Sequence, residues 1–329
     1  MSGPGTRAMA AERPEVVAVT PNPALDWTLT IPGFTAGAVD RVTAQRTRAG
    51  GKGVNVAARL AAHGHRVAAT GFLGRDNAAL FEALLADLGI EDRFVRLDGA
   101  TRVGIKIVDP DGAETTDVNF PGLAPDDTEL LALDDTLAAL AAAGARWAVL
   151  AGSLPPGVPA TFYADATRVL REAGCRVALD TSGDALRHAI DARPQLVKPN
   201  VHELEALVGT SLPTRELVLG AARELVRRGV ALVVVSMGAD GALFVREGEA
   251  VLAVPPAVAV GSTVGAGDAM VAGTVSGLLR GLSLGEVARL ATAFSVAAIA
   301  LGDGAAGDPV ARVGALRERV TVERVTRDA

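Results

Sequence analysis

Along most of this chain, short apolar runs alternate with longer stretches of helical spacing. That alternation constrains the fold more than any single motif. Continuous Val/Ile/Leu-rich runs at 16–20, 67–72, 147–152, 176–180, 196–199 and 232–237 have the length of strands buried on both faces. Between and after them, 54–63, 78–88, 126–143, 159–173, 214–228, 269–280 and 284–301 carry Ala, Leu and Arg at the helical period. Strands separated by helices predict an α/β fold of three layers, a mostly parallel sheet with helices on both faces. Ligands on such sheets collect at the carboxyl ends of the strands. Apolar residues make up 49% of the chain, enough for a sizeable core, and with 3% aromatics that core is aliphatic.

Two segments, 26–47 and 101–120, break the rhythm. Thr28-Leu29-Thr30-Ile31 and Arg102-Val103-Gly104-Ile105-Lys106-Ile107 alternate, and Asp109-Pro110-Asp111-Gly112 has the composition of a hairpin turn. They predict a small antiparallel β lid projecting from the main domain, placed to cover a ligand, to pair with another subunit, or both. The first 14 residues are small, polar and proline-containing and are expected to form a flexible tail. One domain is expected over 15–315, with a C-terminal extension at 316–329.

A net charge of −6 without a long basic run argues against nucleic acid or an anionic membrane as the main partner. The apolar stretches are too short, or too interrupted by charge, to span a bilayer. The single cysteine, Cys175, rules out an intrachain disulfide and fits a cytoplasmic location. It opens an apolar run and is expected to be buried. The four histidines, at 63, 65, 188 and 202, have no metal-ligand arrangement.

The chemistry is concentrated in glycine-rich turns. Gly261-Ser262-Thr263-Val264-Gly265-Ala266-Gly267-Asp268 opens directly into an apolar helix. Free N–H groups at such a helix start favour an anion, and Asp268 beside them suits a base that takes a proton from a hydroxyl. An aspartate that only stabilises the helix start is the plainer alternative. Ala49-Gly50-Gly51-Lys52-Gly53-Val54-Asn55 is a second such turn, without the Ser or Thr of a Walker A loop. Its Lys52 and Asn55 suit a hydroxylated, anionic ligand, or the segment is simply a tight turn. Arg102 and Lys106 flank Gly104 on one strand face, a notch for a phosphate or a solvated surface. Asn200 and Glu203, in Lys198-Pro199-Asn200-Val201-His202-Glu203, fit either a helix N-cap with its reciprocal partner or water ligands of Mg²⁺; the two are compatible. Ser236-Met237-Gly238-Ala239-Asp240-Gly241 turns a strand at the sheet edge where nucleotides bind, or is only a hairpin. Asp26, just past the first strand, is placed to accept sugar hydroxyls or to form a turn.

Together and in order, these segments resemble the ribokinase-like PfkB family of carbohydrate kinases. The resemblance runs from about residue 16 to 308, and its two signatures match 50–57 and 263–273. Within the family the chain is most similar to the bacterial 1-phosphofructokinase branch. The segments carrying that similarity include Asn22-Pro23-Ala24-Leu25-Asp26, Gly71-Phe72-Leu73-Gly74-Arg75-Asp76-Asn77 and Gly152-Ser153-Leu154-Pro155-Pro156-Gly157. Tagatose-6-phosphate kinases and minor 6-phosphofructokinases have similar motifs.

The resemblance implies a ribokinase-like fold and MgATP-dependent phosphorylation of a phosphosugar hydroxyl, fructose 1-phosphate to fructose 1,6-bisphosphate in that branch. It implies Asp268 as base, and Gly265, Ala266 and Gly267 as anion hole. Asp26, Gly51, Lys52, Asn55, Arg102, Lys106 and Ser153 would hold the sugar phosphate. Lys198, Ser236, Gly238, Ala239, Gly241 and Gly267 would hold the nucleotide, and Asn200 and Glu203 would organise magnesium through water. A homodimer through the lid is also implied. The chain departs from the family at Gly104, where an Asn is usual, which bears on sugar preference. A non-catalytic sensor of sugar phosphate or nucleotide is the competing class. A sugar-phosphate dehydrogenase is disfavoured because no Gly-x-Gly-x-x-Gly turn follows the first strand.

Overall fold

The computed structural model describes residues 13–112, 114–259, 263–300 and 308–325. The tail expected at 1–14 therefore lies, apart from Arg13 and Pro14, outside the described residues, as do Gly261 and Ser262 of the glycine-rich turn that ends at Asp268. In chain order the elements are β1 (Val16–Thr20), β2 (Ala24–Thr30), β3 (Ala44–Gly50), α1 (Lys52–Ala62), β4 (Val67–Gly74), α2 (Ala79–Asp87), β5 (Glu91–Asp92), β6 (Val95–Leu97), β7 (Val103–Asp109) and β8 (Glu114–Asn119). Next come α3 (Asp127–Ala142), β9 (Trp147–Ala151), α4 (Phe162–Glu172), β10 (Arg176–Asp180), α5 (Gly183–Ile190), β11 (Leu196–Val197), α6 (Val201–Val208), α7 (Arg215–Arg227) and β12 (Leu232–Ser236). The chain closes with β13 (Ala242–Arg246), β14 (Glu249–Val254), α8 (Ala266–Leu279), α9 (Leu284–Ala300), α10 (Pro309–Arg317) and β15 (Thr321–Arg324).

The main sheet runs β15-β14-β13-β12-β11-β10-β9-β1-β4-β5, with β6 also paired to β4. From β12 to β5 every pairing is parallel; β13, β14 and β15 add an antiparallel edge. Side chains alternate across the strands, so Val16 and Ala18 of β1 join one core while Val17 and Val19 join the other. The first core is closed by α1, α2, α8, α9 and α10, and the second by α3 to α7. β15 and α10 extend this architecture into the chain's C-terminal segment, where β15 is an edge strand of the same sheet.

The second sheet has the order β3-β2-β7-β8 and comes from the two segments that break the helical rhythm. Its outer pairings are antiparallel, but β2 and β7 at its centre are parallel. Both leave the main sheet from its carboxyl edge, β2 after β1 and β7 after β4 and β6, so they run outward together. This places the small sheet over the carboxyl ends of the parallel strands.

Candidate active site

Both glycine-rich turns become helix starts. α1 follows Gly51 and α8 follows Gly265, and no side chain caps either one. Gly265 has φ 78°, a left-handed conformation that favours glycine. The N–H of Ala266 turns back to the carbonyl of Thr263 at 3.3 Å, so one of the three residues expected in the anion hole is committed to the turn.

Asp268, in the first turn of α8, is 7% exposed, and Asn55 Nδ2 donates to its Oδ2 at 2.8 Å. Beside it stands Asp180, at the carboxyl end of β10 and 1% exposed. Lys52 Nζ is 3.1 Å and Lys198 Nζ 3.5 Å from Asp180 Oδ1. Lys198 Nζ also lies 3.3 Å from the point where a Cβ on Gly267 would stand, so this lysine backs the helix start.

Two lysines thus face two carboxylates, and the carboxylates are not equivalent. Burial, then the charge of Asp180, pushes Asp268 above the usual carboxylate range; Asn55, Lys52 and Lys198 oppose this without cancelling it. Burial acts the same way on Asp180, but Lys198 and Lys52 outweigh it and hold that carboxyl below its usual range. Lys52 is raised: burial acts against its charge, and Asp180, Glu203 and Asp268 more than compensate. One carboxylate is fixed as an anion while its neighbour gains proton affinity, the division of roles that acid–base chemistry uses.

The lid supplies a third carboxylate. Asp26 pairs in register with Gly104 on β7 and Arg48 on β3. Its carboxylate lies against two glycines: a Cβ on Gly50 would stand 2.3 Å from Oδ2, and one on Gly104 3.3 Å from Oδ1. Burial raises Asp26 above its ordinary value, with Lys106, Arg48 and Arg102 opposing. Arg102 and Lys106 do not close on a common notch. Arg102 donates to the carbonyls of Asn22 and Phe120, whereas Lys106 Nζ pairs with Asp117 Oδ1 at 2.9 Å.

They border two adjoining cavities. One, of about 370 Å³, is lined by Asp26, Arg46, Arg48, Asn55, Arg59, Lys106 and Gly265. The other, of about 760 Å³, is lined by Asn22, Gly51, Lys52, Arg102, Asn119, Ser153 and Glu203 among others. In the latter, Asn22 Nδ2 donates to Ser153 Oγ at 3.3 Å and to the Pro121 carbonyl at 3.0 Å.

On the far side, Asn200 caps α6 by the reciprocal arrangement: Asn200 Oδ1 accepts from the Glu203 N–H, and Glu203 Oε2 accepts from the Asn200 N–H. A third cavity, of about 900 Å³, is lined by Asn200, His202, Ser236, Gly238, Ala239, Asp240 and neighbours. Gly241 is behind this wall, its carbonyl accepting from the Met237 N–H. Lys198 is at the start of α8, against Asp180 and Gly267, rather than in this cavity.

Asp180, Asn22, Arg48 and Arg59 were not singled out by sequence reasoning. For Asp180 a signal existed: it is the last residue of a buried parallel strand, where such sheets place ligands. For Arg59 the signal was its place one helical turn after Asn55, and Asn22 opens the segment that ends in Asp26; Arg48 had none, because only the pairing of β3 with β2 sets it beside Asp26.

Residues 23–310 match the pfkB family of carbohydrate kinases. A 1-phosphofructokinase of Rhodobacter capsulatus is 54% identical over 309 residues, covering 94% of this chain and 97% of its own length. A 1-phosphofructokinase of Xanthomonas campestris is 47% identical over 294 residues, covering 88% and 92%. Among solved structures, phosphofructokinase-2 from Escherichia coli in complex with substrates and products superposes with a TM-score of 0.86 at 32% identity, covering 93% of this chain and 99% of that one. This chain belongs to the pfkB family of carbohydrate kinases.

Proposed function

We propose that the protein transfers the γ-phosphoryl group of ATP to the 6-hydroxyl of fructose 1-phosphate. The observation that carries this reading is Asp268: buried, raised in proton affinity, and held by Asn55 at the uncapped start of α8. Family membership implies ATP as co-substrate, and the names of the relatives supply the acceptor. Asp268 takes the hydroxyl proton, while Gly265 and Gly267, with Lys198 and Lys52 behind them, receive the phosphoryl group. Asp26 orients the sugar, and Arg102 with Ser153 holds its phosphate. The nucleotide lies along Ser236, Gly238 and Ala239. Positioning and fixed charge do most of the work in such transfers, and the lid excludes water.

The donor set also fits magnesium, a hard cation that takes oxygen ligands and keeps several waters. Asp180 Oδ2 is buried without a hydrogen-bond partner in the described residues, and Glu203 borders the cleft with one carboxylate oxygen engaged in the cap. These two residues, with Asn200 setting Glu203, would hold the ion, which would supply charge neutralisation at the nucleotide phosphates.

The lid supports a homodimer. On the face opposite Asp26, where Trp27, Ile105 and Val118 share a register, Trp27 is 36% and Val118 45% exposed, an apolar surface of the kind subunits cover. Sedimentation of the wild type against Val118→Glu tests this, a shift to monomer being the expected result.

Gly104 favours keeping a second acceptor in view, since its position beside Asp26 lacks the usual Asn. Initial rates with MgATP and fructose 1-phosphate, fructose 6-phosphate, tagatose 6-phosphate and fructose decide. The highest kcat/KM is expected for fructose 1-phosphate. A 6-phosphate preference would move the enzyme to a sister activity, and tight binding without turnover would make it a sensor.

A further inference from the structure

The cavity beneath the lid holds a cation that the mechanism above leaves unused. Arg59 lies on α1 one turn beyond Asn55, the residue that holds Asp268, and so on the same helix face. Its Nη2 is 3.1 Å from the point where a Cβ on Gly265 would stand, at the mouth of the anion hole. Its Nε is buried and has no hydrogen-bond partner among the described residues. Burial disfavours the charge, and Asp268 is the group that opposes this.

Across the same cavity stand Arg46, Arg48 and Lys106, and Asp26 is the one carboxylate lining it among the described residues. The crowding is real: Arg48 is depressed to about 10 by burial and by Arg46, with Asp26 opposing and Arg59 adding to the repulsion. An arginine held beside a helix start that already favours anions suits a ligand of opposite charge.

We propose that Arg59 completes the anion hole, its guanidinium contacting the phosphoryl group as it passes from ATP to the sugar hydroxyl. The inference rests on the kinase reading above. In the step, the bond from the γ-phosphorus to the bridging oxygen breaks and its electron pair leaves with ADP. The hydroxyl oxygen bonds to phosphorus, and its proton goes to Asp268. Charge then spreads over three equatorial oxygens, for which a planar fork of donors is the matching partner. Gly265 makes room for that fork, because a side chain there would meet Nη2.

The test compares wild type with Arg59→Ala, Arg59→Gln and Arg59→Lys in steady-state rates with MgATP and fructose 1-phosphate, with melting curves alongside. Loss of a preorganised donor of this kind costs roughly 10²–10³-fold in kcat. We expect a loss of that order in the Ala and Gln variants, a smaller loss in Lys, little change in either KM, and partial rescue of Arg59→Ala by added guanidinium. Normal kcat in Arg59→Ala overturns the inference while leaving the kinase reading intact. So does a loss that guanidinium does not restore and that appears equally in the KM for sugar. If the Ala variant does not fold, the Gln-to-Lys ratio carries the same decision. A wild type that transfers no phosphoryl group overturns the kinase reading and this inference with it.

Discussion

Replacing Asp268 by Asn should push activity and stability in opposite directions. Removal of a general base typically costs ~10²–10⁴-fold in rate, equivalent to about 2.7–5.4 kcal/mol of barrier. The amide keeps the shape and can still accept from Asn55 Nδ2, so ATP binding should hardly change. Stability follows from the sign of the shift. Asp268 is raised in the folded state, by burial first and then by Asp180. A group raised on folding contributes stability below its unfolded pKa and loses it as pH climbs through the folded value. At pH 7 the ionised carboxylate therefore destabilises the fold, and Asp268→Asn should stabilise it, on the order of 0.5–2 kcal/mol as for other relieved active-site liabilities. The gap should narrow as the pH falls toward the carboxylate range. In the wild type, the same shift should set the acid limb of kcat/KM above the ordinary aspartate pKa. Coupled ADP release and urea melts at several pH values read all three effects. Near-normal kcat in the variant, or a variant less stable than wild type at pH 7, would refute the reasoning.

Asp180→Asn should lose roughly 3–5 kcal/mol, because it strands Lys198 and Lys52 without their carboxylate. It should also move the acid limb of the rate profile to lower pH, since Asp180 raises Asp268; denaturant melts and pH–rate curves check each part. Gly50→Ala drives a methyl into Asp26 Oδ2, so the acceptor KM should rise while the ATP KM stays, as steady-state kinetics would report. Arg102→Ala frees the Asn22 and Phe120 carbonyls in the cavity that holds Ser153. It should raise the phosphosugar KM well beyond any change for ATP, and equal changes in both would count against its placement.

What the sequence conveyed about the fold was set by period. β1 and β10 have the boundaries their apolar runs predict, because a strand buried on both faces has no reason to end elsewhere. Helix starts were read late where glycine leads: α8 begins at Ala266 rather than 269, since Gly265 and Gly267 conceal a helical turn that packing stabilises. β14, β15 and α10 carry weak local signals and are fixed by tertiary pairing at the sheet edge. The lid's strands were legible from alternation. The parallel pairing of β2 with β7 was not, because it depends on where two distant crossovers leave the main sheet.

The site divides along the same line. Residues inside contiguous motifs, such as Asp268, Asn55 and Asn200 with Glu203, could be read from spacing, since the turn that exposes them is local. Their partners could not. Lys52 reads as a sugar-phosphate cation, yet in the fold its nearest anion is Asp180, 128 residues away. That pairing changes what the motif does. A lysine held by a buried carboxylate is a fixed charge rather than a mobile one, and it opposes the rise in the proton affinity of Asp268 that burial and Asp180 cause. The glycine-rich turn around Lys52 therefore acts on the Asp268 carboxyl as well as lining the cleft, because the fold brings Asp180 at the end of β10 between Lys52 and Lys198.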